Sequence, residues 1–250
     1  MVSLALLAGV LQGCERDQPP VRIGVLVDCV GLARGFRDAT MSGVELPLLQ
    51  RGATLRGARP GDGVGPATVA GGKVELVTGC TEGGEYSVLI EQARRLVEVD
   101  KVDVLVGGTW AGDGLVLREV ARRHPATAFV ATAPGAREVT LHDPPANLFR
   151  FGGDFSQQAA GLGTYAFRDL GWREAAVVVD DNEVGWGEAA AFLAEFCALG
   201  GRATQLLMPF SARPGRHPRR RPRLTAWRSS ATRTACRPTR QSRPRAAARR

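Results

Sequence analysis

The stretch Lys101–Leu117, KVDVLVGGTWAGDGLVL, restricts what this chain can become more than any other. Val102, Val104, Leu105 and Val106 form a short apolar run, the pattern of a strand buried on both faces. The run breaks at Gly107-Gly108. Asp113 then stands at the N-cap position of a helix carrying Leu115, Val116, Leu117 and Val120. Strand, glycine-broken polar turn and helix start make one βα unit of an open parallel sheet, where ligands sit outside the carboxyl ends of the strands. The turn contains no Lys, no His and no acid paired with a nucleophile. It is expected to hold something, not to react with it.

The same grammar repeats on either side. Val21–Val27 reads as a first buried strand ending at Asp28-Cys29-Val30-Gly31, and a helix is expected across Ala33–Gln50, ended or kinked by Pro47. Residues 51–72, rich in Gly, Arg and Pro, read as a surface loop. Lys73–Thr78 is the second strand, and Glu85–Val99 places Val88, Leu89, Ala93, Leu96 and Val97 at helical spacing. After the central turn a helix runs to His124 and stops at Pro125. Thr127–Ala131 is a fourth strand, closed by the polar turn Thr132-Ala133-Pro134-Gly135. Strands alternating with helices argue for a parallel sheet with right-handed crossovers.

At Asn147–Phe151 the chain is expected to cross out of this unit. Phe155–Leu170 then reads as helical, Ala175–Val179 as a buried strand, Trp186–Leu199 as a helix ending at Gly200-Gly201, and Ala203–Met208 as a further strand. After Phe210 the pattern stops. Residues 211–250 contain 14 Arg and no Asp, Glu or Lys, so the net charge of +8 misleads. Without those arginines, 19 basic residues face 25 acidic ones and the body is mildly acidic. Nothing before residue 210 argues for nucleic acid. The tail lacks apolar periodicity and reads as disordered; it could meet a polyanion electrostatically, but Trp227 is its one aromatic residue, so no specific nucleic-acid recognition is expected.

The five cysteines show no CxxC and no metal-ligand spacing. Cys29 and Cys80 follow two strands of one sheet, which allows either a disulfide or two separate buried thiols. The scattered His124, His142 and His217 give no zinc pattern. No metal or cofactor is expected. Residues 1–14, MVSLALLAGVLQGC, look like a bacterial lipoprotein signal in which Cys14 would carry the lipid, although no basic residue precedes the apolar run. The alternative is an N-terminal strand or a ragged start. Residues 15–20 read as a tether.

Other motifs lead away from catalysis. Gly161-Leu162-Gly163-Thr164-Tyr165-Ala166 falls inside an expected helix, where it cannot cradle a phosphate. Gly185-Trp186-Gly187-Glu188-Ala189-Ala190 follows a strand, but Asp180, Asp181 and Glu183 precede it and would repel a pyrophosphate. Asp180-Asp181 reads as a solvated strand end that caps the next loop.

The order of elements resembles the type I periplasmic binding proteins, specifically the leucine-binding-protein-like substrate-binding components of ABC transporters. The stretches that carry the resemblance are Arg22–Val27 with Gly31, the segment EQARRLVEVDKVDVLVG, Phe149-Arg150 with Ser156-Gln157-Gln158, and Asp180-Asp181 through Gly185-Trp186-Gly187. The resemblance implies an α/β, periplasmic-binding-protein-like fold of two lobes, each a parallel sheet with helices on both faces, closing over a small polar molecule such as an amino acid. By position it implies a complete first lobe at 21–148 and a partial second lobe at 149–210. It further implies first-lobe ligand contacts at Thr109, Trp110, Ala111, Gly112 and Asp113 and at Thr132, Ala133 and Gly135, with Gly31 and Phe36 weaker. Second-lobe contacts fall at Val184 and Trp186.

A zwitterion needs N–H and hydroxyl donors for its carboxylate, which turns at helix N-termini supply. The family's serine is absent from the first turn, so Thr109 or backbone N–H groups would replace it. Asp113 would repel a ligand carboxylate unless it serves as a plain N-cap. Trp110 either stacks on the ligand or lies over the rim. The expected role is an extracytoplasmic solute-binding component that hands a small molecule to an ABC permease, tethered to the membrane through Cys14 and not an enzyme. A ligand-sensing receptor module and a non-functional truncated product are the alternatives. The Arg-rich end has the composition of an out-of-frame reading of GC-rich sequence and is expected to be aberrant.

Overall fold

The computed structural model describes residues 19–65, 67–133, 135–208, 232–234 and 236. The expected signal with Cys14, and most of the Arg-rich end, lie outside the described residues.

Strand β1 (Val21–Val30) is the central element. It runs three residues beyond the expected end, so Asp28 and Cys29 belong to the strand and not to a turn. A short 3-10 turn, Leu32–Phe36, leads into α1 (Arg37–Leu49). Pro47 lies in the last turn of α1, and the helix ends two residues later. The loop after α1 returns through the hairpin of β2 (Ala67–Val69) and β3 (Gly72–Glu82). Helix α2 (Tyr86–Arg94) continues as a π-turn over Arg95–Val99. Then follow β4 (Val104–Gly107), α3 (Asp113–Arg123), β5 (Ala128–Ala131), α4 (Glu138–Leu141) and β6 (Leu148–Arg150).

These six strands form one sheet in the order β2-β3-β1-β4-β5-β6, parallel except for the β2–β3 hairpin. The residues around Asn147–Phe151 were expected to leave the unit. Instead Phe129 pairs with Leu148 and Ala131 with Arg150, making β6 the edge strand before the crossover.

Alternation along β1 divides the core. Val25 and Val27, 0 % and 1 % exposed, face Met41 of α1. Leu26 on the opposite face joins Leu89, Leu96, Leu105, Leu117 and Phe129 beneath α2 and α3. Helices therefore cover both faces, as near-continuous apolar strands require. The chain leaves β1 to one side for β3 and comes back on the other side for β4. Between β1 and β4 the strand order reverses, which opens a crevice at their carboxyl ends.

The segment 155–170 is not one helix. It divides into α5 (Phe155–Gln158) and α6 (Leu162–Arg168) at Gly161, whose φ of 90° only glycine adopts without strain. Asp154 and Gln157 make a reciprocal capping box on α5, each side chain accepting the other's backbone N–H at 2.9 Å. Strand β7 (Glu174–Asp180), helix α7 (Glu183–Ala198) and β8 (Arg202–Met208) follow, with β7 and β8 parallel. Phe196 is fully buried between α7, Ala166 of α6 and Ala203 of β8.

The described residues of the Arg-rich end are ordered onto the second sheet, where none of this end was expected to be. Residues Thr232–Thr234 form β9, antiparallel to β8, and Cys236 forms a disulfide with Cys197 of α7. Composition conceals this, because strand addition uses the backbone and a disulfide needs one side chain. The second open choice in the sequence is also resolved: Cys29 and Cys80 are disulfide-bonded, joining β1 to β3.

Candidate functional site

The two polar turns lie side by side. Strands β4 and β5 pair in register up to Gly107 and Ala131. Beyond them, the backbone N–H of Thr132 donates to Gly107 O and that of Ala133 to Gly108 O, both at 3.2 Å. The Thr132 hydroxyl adds a bond to Gly108 O at 3.0 Å. Thr109–Asp113 and Thr132–Gly135 thus form one continuous rim at the point where the strand order reverses. Gly107 permits the close pairing of β4 with β1: a Cβ there would come 2.6 Å from Leu26 O.

Asp113 behaves otherwise than expected. The N-cap of α3 is Gly112, and Asp113 is the first helical residue. Its carboxylate reaches back into its own turn, where Oδ2 accepts the backbone N–H groups of Thr109 and Trp110, each at 2.9 Å. Two donors that a ligand carboxylate would have used are therefore occupied. Burial pushes the Asp113 carboxyl up to about 6, aided by the nearby Asp28, and these two N–H bonds oppose the rise. Among the described residues the Thr109 hydroxyl and the N–H groups of Ala111 and Gly112 make no hydrogen bond. They are the donors left at the helix start.

Asp28 belongs to this site and was passed over in the sequence as a turn residue. It is 2 % exposed at the end of β1. Its Oδ1 accepts the Thr81 hydroxyl at 2.7 Å and its Oδ2 the Trp110 indole N–H at 3.2 Å. The one sequence signal was an acid at the end of an otherwise apolar strand. Gly31 and Phe36 lie farther along, Phe36 being largely exposed.

The second lobe approaches the same rim. A Cβ on Gly112 would come 2.1 Å from the Tyr86 hydroxyl and 3.4 Å from Glu183 Oε1 at the start of α7. Burial raises the Tyr86 hydroxyl, with the negative Glu183 and Asp113 adding to the effect. Glu183 was read only as part of a negative cluster; its position against Gly112 makes it a cleft residue. Val184 lies in the first turn of α7, partly buried. Trp186 is half-exposed and its indole N–H donates to Asp181 Oδ1 at 2.9 Å. Asn182, not Asp180 or Asp181, caps α7, accepting the Gly185 N–H at 3.0 Å.

The glycines of the Gly185-Trp186-Gly187 motif serve packing. A Cβ on Gly185 would meet Asp180 O at 2.2 Å, and one on Gly187 would meet Phe155 Cβ at 2.9 Å. Gly135 likewise makes room for the Phe155 ring, and its carbonyl accepts the Phe155 N–H at 3.0 Å. Arg150 secures the crossover, bonding Ala136 O at 3.0 Å and pairing with Asp154 at 3.5 Å. A concavity of about 630 Å³ lies along the edge strand β7, lined by Trp172, Glu174–Val178 and Phe192, none of them residues of this rim. It flanks a sheet edge without convergent polar groups. Among the described residues no cluster of His, Cys, Asp or Glu could hold a metal, and no helix is long and apolar enough to cross a membrane.

A doubly wound sheet is followed by a second α/β unit whose helix α7 begins against the polar turns of the first, a two-lobed α/β fold. The family described as periplasmic binding protein matches residues 20–212, and the chain belongs to that family. Among solved structures it is similar to a leucine-binding protein from Thermotoga maritima MSB8, with a TM-score of 0.60 and 21 % identity over 76 % of this chain and 49 % of that one. It is similar to an ABC transporter substrate-binding protein from Sphaerobacter thermophilus, with a TM-score of 0.60 and 25 % identity over 78 % and 49 %. A solute-binding protein of an ABC transporter from Rhodopseudomonas palustris HaA2, in complex with p-hydroxybenzoic acid, gives a TM-score of 0.62 and 19 % identity over 76 % and 47 %. The chain spans about half the length of these structures. No curated protein matches it.

Proposed function

We propose that the chain is an extracytoplasmic solute-binding component of an ABC transporter, taking a small polar ligand such as an amino acid between its lobes and delivering it to a permease. One observation carries this reading: two glycine-broken turns share a rim at the reversal of strand order, and the start of α7 faces them from the other lobe. The Thr109 hydroxyl and the N–H groups of Ala111 and Gly112 supply donors at the N-terminus of α3. Tyr86, Glu183 and the carbonyls of the turns supply acceptors. Trp110, Thr132, Ala133 and Gly135 complete the first-lobe wall, with Val184 and Trp186 opposite. No proton transfer or nucleophile is assigned, because the site holds donors and acceptors without an acid–nucleophile pair. A lipid on Cys14 would tether the protein to the membrane.

A thermal-shift screen of amino acids and aromatic acids tests the reading. A ligand at 100 times its dissociation constant adds about 2.7 kcal/mol to the folded state. Leucine, phenylalanine, arginine or 4-hydroxybenzoate is expected to raise the melting point, and substitution of Thr109 by Val to reduce the rise. A folded protein that responds to no solute in the screen removes the proposal.

A further inference from the structure

Trp110 is the one aromatic side chain in the turns Gly107–Asp113 and Thr132–Gly135, and it is fixed at both ends. Its backbone N–H is bound by Asp113, while its indole N–H donates to Asp28 Oδ2 at 3.2 Å. Asp28 is in turn held by the Thr81 hydroxyl at 2.7 Å, from the residue paired with it across β1 and β3. The Cys29–Cys80 disulfide, from the residue after Asp28 to the residue before Thr81, joins the same two strands. Against the indole edge lies Gly83, where a Cβ would stand 2.2 Å from Nε1. The indole edge occupies the space that any other residue at 83 would fill.

An apolar side chain at position 28 would pack a buried strand end with no desolvated charge to accommodate. What the carboxylate provides and an apolar group does not is a fixed direction for an indole N–H. Ring geometry decides how well a flat group stacks on an indole face, and a guanidinium on that face gains a further electrostatic attraction. An aliphatic side chain gains area burial alone.

We propose that Asp28 is a positioning residue that holds the Trp110 indole as a stacking wall of the cleft, and that the solute carries a planar delocalised group, either an aromatic ring or a guanidinium. The inference rests on the binding reading above and narrows its ligand. Phenylalanine and arginine distinguish the two sources of a planar group, and leucine is the non-planar reference with the same α-amino and carboxylate groups.

Isothermal titration of the full chain with these three amino acids is the test. Phenylalanine or arginine is expected to bind about fivefold or more tighter than leucine. Trp110→Ala brings that ratio to about one. Asp28→Leu, which removes the acceptor of the indole N–H, lowers the ratio, and adds no further loss when Trp110 is already Ala. Gly83→Ala, which displaces the ring while leaving residue 28 unchanged, lowers it as well and serves if Asp28→Leu does not fold. Leucine binding as tightly as both planar ligands, or a ratio that Trp110→Ala leaves unchanged, overturns the inference while solute binding stands. An equal loss from Asp28→Leu with and without Trp110 refutes the positioning role. If none of the three binds the folded chain, the amino-acid reading falls; 4-hydroxybenzoate is then titrated, and its failure to bind, or binding that Trp110→Ala leaves unchanged, overturns this inference.

Discussion

Replacing Asp113 by Asn separates charge from geometry at the rim. In the native chain one carboxylate oxygen accepts two backbone N–H groups, and an amide oxygen can take its place. The substitution keeps the turn and removes the ionisation. Burial raises the Asp113 carboxyl from 3.8 to about 6. Because the folded value exceeds the unfolded one, the folded state holds the proton more tightly over this interval. The resulting stability is complete below pH 3.8 and is lost as pH rises through 6. A shift of this size corresponds to about 3 kcal/mol.

Urea unfolding at several pH values between 4 and 7, run in parallel on native protein and Asp113→Asn, isolates the effect of Asp113 and its coupling to Asp28, since groups that do not sense Asp113 cancel in the difference. Relative to the variant, the native protein is expected to lose about 2 kcal/mol from pH 4 to pH 7. Asp113→Ala, which leaves the Thr109 and Trp110 N–H groups without their acceptor, is expected to lose about 1–3 kcal/mol at pH 4. A difference between native and Asn proteins that stays flat across this range refutes the argument. So does an Asn variant that loses as much as the Ala variant.

Other predictions follow from packing and cross-links. Leu105→Ala, at a position with no exposed surface between the helices and the first sheet, is expected to destabilise by about 2–5 kcal/mol in urea unfolding. Gly185→Ala places a methyl 2.2 Å from Asp180 O and is expected to lower stability by about 1–3 kcal/mol, with Gly201→Ala, against the Phe196 ring, behaving alike. Serine replacement of Cys29 and Cys80, which are 51 positions apart, is expected to lower stability by about 4 kcal/mol through freer unfolded chain. Non-reducing peptide mapping should recover Cys197 joined to Cys236. Recovery of Cys236 as a free thiol in folded protein would contradict the attachment of this segment to α7.

The individual elements were legible in the sequence because their causes are local. The apolar run before Gly107, the helical spacing of Leu89, Ala93, Leu96 and Val97, and the stop at Pro125 each need only a few neighbouring residues. The parallel α/β class followed from their alternation, and the placement of the two polar turns followed from the class. Boundaries were less well determined. Extension of β1 to Val30 depends on its pairing with β3, and the division of 155–170 depends on a left-handed backbone at Gly161.

What the tertiary structure alone decided is which distant residues meet. Asp28, Thr81 and Trp110 lie 53 and 82 positions apart along the chain from Asp28, and no local pattern marks them as one group. The disulfide partners, the seat of β6 on β5, the attachment of β9 to β8 and the approach of Glu183 to Gly112 belong to the same class of fact. Asp113 shows the difference within a single turn. The sequence placed an acid at a helix start, but only the folded backbone determined that its carboxylate turns back onto Thr109 and Trp110, because the direction of a side chain is set by the donors that three dimensions bring within reach.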